Sequence, residues 1–457
     1  MAKIKSKWIC QECGYETSGY LGKCPSCGNW GTIVEDVQSN LKPQNISPQG
    51  ILNEATPSLI NDIHIGSEVR VSTNISEFDR ILGGGLVQGS ITLIAGDPGI
   101  GKSTILLQTS GELAKNGQKV LYVTAEESAS QLKLRANRLE INSDNLYVYP
   151  QINLESIRKQ IDEIKPEVVV IDSIQAIYSQ TITSSAGSVS QIRECCNILM
   201  QIAKTQNITI IIIGHVTKDG SIAGPKVLEH MVDTVISFEG DKYKSYRMLR
   251  STKNRFGNTS EVGIFEMQQK GLVEVRNPNE LFLNERSQDS IPGSAIIVTN
   301  EGTRPLLVEI QALVGATPYA SPRRVTNGVD TSRMLQILAV LEKRVGLNLS
   351  KQDVYVNVMG GIDITEPSAD LGIALAIATC ARDVVVDSQT VIIGEIGLSG
   401  EIHPVNNIEK RLNEAVTSGF KKAIIPYANS PVENNKIQIV PVKRLLDAIS
   451  ACITPQS

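Results

Sequence analysis

The chain has 457 residues, 41% hydrophobic and 20% charged, a balance that supports about two to four packed domains and excludes wholesale disorder. Forty-four Lys and Arg against 48 Asp and Glu leave a net charge of −4, so any nucleic-acid contact must come from a local patch. The longest aliphatic runs, 168–171 and 208–213, are far short of the ~20 residues that span a bilayer, and no apolar segment follows the basic start MAKIKSK. A soluble, cytoplasmic protein with no membrane partner is expected.

Residues 1–34 form a cysteine module. Cys10-x2-Cys13 and Cys24-x2-Cys27 set two knuckles that present four thiolates tetrahedrally, and Gly14 and Gly28 allow the tight turn after each pair. Four sulfurs leave no open position, so the expected cofactor is a structural Zn²⁺ that stabilises a piece too small to bury its own core. A redox CxxC pair would need a thioredoxin-like setting, which neither pair has. Cys195, Cys196, Cys380 and Cys452 lie in apolar or helical stretches and are expected as buried thiols.

Residues 35–68, with Pro43, Pro48 and Pro57 among Asn, Gln and Ser, read as a linker. From 69 to 277, strand-like runs at 90–95, 119–124, 167–171, 208–214 and 234–238 alternate with helical patterns, which predicts a parallel sheet flanked by helices. A polar hinge over 278–294 leads to a second α/β segment, 295–457. Its strands are expected near 295–299, 306–311, 354–357, 391–394 and 423–426, its helices near 332–344, 368–381 and 408–418.

Gly96-Asp97-Pro98-Gly99-Ile100-Gly101-Lys102-Ser103, followed by Thr104, matches GxxxxGK[ST] between a strand and a helical run. In that setting backbone amides curl around a β-phosphate, Lys102 reaches the β/γ oxygens and Ser103 ligates Mg²⁺. Asp172 closes the run VVVID and is the expected second Mg²⁺ anchor. Glu126 and Glu127 end the strand LYVTA; one of them polarises the attacking water, Glu126 being preferred, unless both are helix N-terminal acids. Asn435-Lys436-Ile437-Gln438 lacks the acid of a guanine-reading NKxD, so ATP is expected over GTP. His215, at the tip of another strand, is a candidate γ-phosphate sensor. The small-residue stretch 179–190 and the loop after His215 both leave the carboxyl ends of strands, where open α/β sheets bind ligands. Lys242, Lys244, Arg247, Arg250, Lys253 and Arg255, interleaved with Tyr243 and Tyr246 and followed by Phe256, form a basic run suited to phosphate tracking and base stacking on single strands.

The four-Cys ribbon, GDPGIGKST, the Lys253-Asn-Arg-Phe-Gly257 segment and a Lon-protease-like C-terminal part, in this order over essentially the whole chain, resemble the bacterial RadA (Sms) family of DNA-repair ATPases. The resemblance implies an α/β fold class: a RecA-like P-loop ATPase core, preceded by the rubredoxin-like zinc ribbon and followed by a Lon-protease-like α/β domain. It implies a homo-oligomeric, hexameric ring on single-stranded and branched DNA. Such a ring drives helicase-type branch migration of recombination intermediates together with the RecA recombinase.

The RecA-like pattern places the nucleotide lysine on Lys102, the Mg²⁺ ligands on Ser103 and Asp172, the catalytic carboxylate on Glu126 and the sensor on His215, where RecA carries Gln. Lys253 and Arg255 match the basic pair that reaches the γ-phosphate of the neighbouring subunit. In the C-terminal part, Thr365-Glu-Pro-Ser368-Ala-Asp370 resembles the Lon segment bearing its nucleophilic serine, but by register the lysine-base position holds Glu409, with Lys410 one residue late. No activated dyad is expected there. Ser368 is read as a helix N-cap, and the domain as a ring interface with a basic surface (Arg323, Arg324, Lys343, Arg344) for duplex DNA. Two other classes are an ATP-dependent peptidase or unfoldase and an autophosphorylating switch ATPase of the KaiC type.

Overall fold

A computed structural model describes residues 5–10, 15–26, 28–38, 59, 70–215, 226–240, 246–259, 261–279, 283, 291–431 and 436–452, and the chain divides into two units, Met1–Arg276 and Asn277–Ser457. The ribbon is a three-stranded antiparallel sheet of β1 (Lys5–Cys10), β2 (Glu16–Thr17) and β3 (Ile33–Gln38), in the order β2-β1-β3. Its two halves turn alike: the Cys10 N–H donates to the Tyr15 carbonyl and the Cys24 N–H to the Asn29 carbonyl, both at 2.9 Å. Cys10 and Cys24 are buried with Ile33, and Trp8 packs against them. Cys13 and Cys27 lie outside the described residues.

The rest of the first unit runs β4 (Arg70–Val71), α1 (Ser76–Leu82), β5 (Leu86–Val87), β6 (Ile91–Gly96), α2 (Lys102–Lys115), β7 (Val120–Thr124), α3 (Ala129–Arg138), β8 (Leu146–Pro150), α4 (Leu154–Ile164), β9 (Val168–Asp172), α5 (Val189–Gln206), β10 (Thr209–His215), α6 (Lys226–Met231), β11 (Thr234–Glu239), β12 (Tyr246–Asn254), β13 (Val262–Gln268) and β14 (Gly271–Glu274). The last nine of these strands after β5 form one sheet in the order β14-β13-β12-β11-β6-β10-β9-β7-β8. From β11 to β8 all neighbours are parallel; β12 to β14 add an antiparallel extension. The central strands are apolar throughout because helices cover both faces, and two hydrophobic clusters fill the two sides. Helix starts follow local chemistry: Ser128 and Gln131 form a capping box on α3, the Asn153 side chain accepts from the Ser156 N–H on α4, and Ser188 caps α5.

The second unit contains β15 (Ser294–Glu301), β16 (Arg304–Ala316), β17 (Arg324–Asn327), α7 (Thr331–Val340), β18 (Gln352–Val358), α8 (Asp370–Arg382), β19 (Thr390–Ile392), the hairpin strands β20 (Glu395–Ile396) and β21 (Ile402–His403), α9 (Ile408–Thr417), β22 (Lys422–Pro426), β23 (Gln438–Val442) and α10 (Leu445–Cys452). Seven strands form a mixed sheet in the order β17-β18-β16-β15-β19-β22-β23. Helix α8 is almost wholly buried, and it approaches β15 so closely that a Cβ at Gly372 would overlap Ile297 Cγ2. Of the four late cysteines, Cys195, Cys196 and Cys452 are buried, while Cys380 is partly exposed and its sulfur accepts from the Val314 N–H at 3.2 Å. Burial pushes the Cys195 and Cys196 thiols up to about 12, which leaves them protonated.

The α8–β15 approach predicts that Gly372→Ala destabilises the second unit by about 1–3 kcal/mol through overpacking. Urea denaturation of the full chain measures this, and an unchanged midpoint would show that the contact has room to relax.

Candidate nucleotide site

The parallel register gathers the site. β10 runs beside β6 with His215 opposite Gly96, and β7 beside β9 with Thr124 opposite Asp172, so the loops after four strands open on one edge of the sheet. The glycine-rich loop leaves β6 and enters α2 at Lys102, with Gly101 as its N-cap at φ 122°. A Cβ at Gly101 would press on the terminal methyls Met267 Cε (2.9 Å) and Leu272 Cδ1 (3.2 Å), but it is the backbone angle that demands glycine. The first turn of α2 holds no acid to offset its positive end.

Lys102 is buried, and its Nζ donates to the carbonyls of Gly96 (2.7 Å) and Asp97 (2.8 Å). Burial lowers its pKa, with Asp172, Asp97 and Glu126 partly opposing. Asp172 accepts a 2.7 Å bond from the Tyr122 hydroxyl, a phenol kept protonated by its own burial and by the Asp172 charge. A hydroxyl at the helix start and this oriented carboxylate are a hard-oxygen pair of the kind that suits Mg²⁺.

The two glutamates after β7 part company. Glu126 accepts a 2.5 Å bond from the Ser173 hydroxyl and lies 3.1 Å from His215 Nε2. Burial raises its pKa, but the bonds from Ser173 and His215, with the charges of His215 and Lys102, outweigh it and hold the carboxyl below the ordinary glutamate value. Glu127 instead pairs with Arg135 on α3. Tyr122 and Ser173 carry no motif signal; only their places, two residues before the end of β7 and one after Asp172, mark them.

Family models match three stretches: a rubredoxin metal binding domain over residues 8–35, an AAA domain over 66–221 and the ChlI subunit of Mg-chelatase over 327–429. A DNA repair protein RadA of Listeria monocytogenes is 50% identical across 99% of this chain and 100% of its own length, and that of Bacillus subtilis 50% across 98% and 99%. The chain belongs to the RadA family of DNA repair proteins. RadA of Synechocystis is 47% identical across 99% of this chain and 95% of its own. A solved KaiC-like protein of Pyrococcus horikoshii aligns with 45% of this chain and 98% of its own at 23% identity, with a TM-score of 0.39. The fold class is the expected one: a RecA-like phosphate-loop core, a zinc ribbon before it and a Lon-like α/β region after it. As a RadA chain with an AAA domain, the protein is an ATP-hydrolysing enzyme. Among the described residues no helix is long and apolar enough to cross a membrane.

In this RadA chain the loop after β9 is built rather than loose. The buried Gln191 donates to the carbonyls of Ser179 (3.0 Å), Ile182 (3.2 Å) and Ser184 (2.9 Å), while its own oxygen accepts from the Ser179 N–H. The tip around 185–187 stays exposed. The loop at 216–225 lies outside the described residues.

The basic run departs from a single solvated face. Arg247 is buried, Arg250 pairs with Glu239 at 3.2 Å, and Tyr246 is buried. Lys253 Nζ donates to the carbonyls of Glu229, His230 and Val232 at the end of α6. Arg255, 56% exposed at its side chain, reaches Asp233 at 3.3 Å. The reason is the fold: β12 is an interior strand, so alternate side chains must turn into the protein. Lys242, Tyr243 and Lys244 lie outside the described residues.

The Lon-like region corrects one expectation and adds a residue that linear register does not reveal. Ser368 is not an N-cap: a 3₁₀ turn, Pro367–Ala369, precedes α8 and carries Ser368 inward, and no side chain caps the helix. The cation at Ser368 is neither Glu409's neighbour Lys410 nor a lysine at all. Successive helical residues rotate by ~100°, so α9 turns Glu409 and Lys410 to solvent and Arg411 inward. Arg411, 0% exposed, donates to Ser368 Oγ (3.1 Å) and to the Val298 and Asn406 carbonyls (2.6 and 2.9 Å), and pairs with Glu366. A guanidinium does not surrender its proton at working pH, so it cannot activate the serine.

Replacing Arg411 strands the part-exposed Glu366 carboxylate. Arg411→Met is expected to destabilise the second unit by about 3 kcal/mol, the low end for a broken buried pair. A denaturation midpoint equal to wild type would contradict this reading of the network.

Proposed function

We propose that this protein is an ATP-driven DNA motor of recombination and repair, working as a ring that moves branch points on single-stranded and branched DNA alongside a RecA recombinase. What carries the reading is the near-complete alignment with DNA repair relatives combined with a phosphate loop, an oriented carboxylate and a strand-tip histidine on one sheet edge.

In the proposed mechanism the amides of Gly96, Asp97, Gly99, Ile100 and Gly101 and of Thr104 surround the phosphates, with Pro98 shaping the turn. Lys102 leaves its resting carbonyls to meet the β/γ oxygens. Ser103 and Asp172 would hold Mg²⁺, which supplies neutralisation of the developing phosphoryl charge. Glu126, ionised and held by Ser173, takes the proton of the attacking water, and His215 reports the state of that carboxylate to the loop beyond β10. Arg255, half-exposed and paired with Asp233 within the protomer, would leave that pair on ring assembly to supply the cation to the neighbouring protomer's phosphates. Lys253, bound to the end of α6, acts as the positioning residue behind it. Ring assembly and hydrolysis are thereby coupled.

The exposed tip at 185–187 is the described segment assigned here to polynucleotide contact. Cys10, Cys13, Cys24 and Cys27 would hold Zn²⁺; the buried Cys10 and Cys24 sulfurs and their paired turns fit a thiolate-ligated core. The second unit contributes ring interface and DNA-facing charge, with Lys343 and Arg344 exposed and Arg323 stacked 4.0 Å over Tyr319.

Strand displacement on forked and three-stranded DNA tests the proposal. Wild-type protein should displace strands with ATP and not with a non-hydrolysable analogue. Lys102→Ala should abolish turnover, and Arg255→Ala should retain nucleotide binding while turnover falls roughly 10³-fold, as for a lost arginine finger. Displacement that survives both substitutions would refute it.

A further inference from the structure

Arg247 stands in the basic run but turns away from solvent, with 6% exposure. It backs onto the glycine-rich loop: Nε donates to the Ile100 carbonyl at 3.3 Å, and Nη1 donates to the Tyr246 carbonyl of its own strand at 2.8 Å. Gly240, directly after β11, leaves room for this, since a Cβ there would lie 2.8 Å from Arg247 Cδ. The Ile100 side chain is itself buried in the cluster that includes Phe238, Phe265 and Leu272.

We propose that Arg247 is a positioning residue of the phosphate cradle, holding the Ile100–Gly101 peptide so that the Gly101 N–H points at the nucleotide's β-phosphate. The peptide unit is planar and trans, so its carbonyl and its N–H point in opposite directions. Clamping the Ile100 carbonyl toward β12 therefore aims the Gly101 N–H the other way, into the loop. Released, the peptide could rotate and set a carbonyl's partial negative charge against the phosphate. Gly101, at φ 122° and without a side chain, cannot hold that orientation itself. Ile100 anchors the peptide through packing and Arg247 anchors it through a charge-assisted bond that persists at any working pH. The buried guanidinium also adds positive potential behind an anion site.

This inference rests on the reading of residues 96–104 as the phosphate site, and the test separates the two. Dissociation constants for ADP and AMP are measured on the full-length wild type, Arg247→Met and Gly240→Ala by displacement of a fluorescent nucleotide. A wild type that does not prefer ADP to AMP overturns the phosphate-site reading itself. Given that preference, Arg247→Met should cut the AMP-to-ADP ratio of dissociation constants about tenfold, the worth of one charge-assisted bond, with AMP affinity nearly unchanged. General loosening of the fold would weaken both ligands alike. A wild-type ratio in folded Arg247→Met overturns the proposal. If that variant does not fold, Gly240→Ala decides: its methyl displaces Arg247, so the ratio should fall about threefold, roughly half of one such bond. An unchanged ratio in folded Gly240→Ala overturns it too.

Discussion

The site depends on strand register. With His215 opposite Gly96 and Thr124 opposite Asp172, Glu126, Ser173, His215 and the phosphate loop meet at one edge. A slip of one residue would send each tip side chain to the other face of the sheet. The strands are apolar on both faces, so hydrophobic pattern alone does not choose among registers. Side-chain pins at the far end do, and backbone bonds close the site edge. At the site edge the Ala125 N–H donates to the Asp172 carbonyl (2.7 Å) and the Ile174 N–H to the Ile213 carbonyl (3.1 Å). At the far end the buried Asp233 accepts from the Ile91 N–H (3.1 Å) and pairs with Lys204 (2.8 Å) and Arg255.

The same residues thus serve stability and chemistry. Asp233 holds the start of β6 and receives Arg255, and Lys253 closes the end of α6. A protomer on its own has its basic motif satisfied internally. In the second unit, polarity of the same kind serves packing: Ser368 of the Lon-like segment accepts from Arg411, which pairs with Glu366. Arg411 also ties α9 to β15 through the Val298 carbonyl.

Legibility followed the strength of local constraint. The glycine-rich loop could be placed because its spacing, its positive-φ glycines and its strand–helix setting all coincide. The central strands could be read because their apolar runs are continuous. Strand β17, with alternately exposed residues at a sheet edge, carries too little apolar signal to be anticipated, while β23 and α10 are apolar but only five and eight residues long. The separation of Glu126 from Glu127 was beyond pattern, since it depends on Ser173, His215 and Arg135 arriving from other elements. Charge composition misled at Arg247, where an interior strand converts a basic residue into a buried clamp. Arg411 was missed because a helical turn, rather than linear register against a family segment, decides which side chain faces Ser368.

In the proposed mechanism the carboxylate held by Ser173 and His215, and not its neighbour, is the group that acts on water. Single-turnover hydrolysis by Glu126→Gln and Glu127→Gln, each with nucleotide binding measured alongside, tests it most directly. Glu126→Gln should bind ATP yet lose at least ~10²-fold in hydrolysis, the usual worth of a general base, while Glu127→Gln should stay near the wild-type rate. Hydrolysis preserved in Glu126→Gln, with Glu127→Gln inactive, would contradict it.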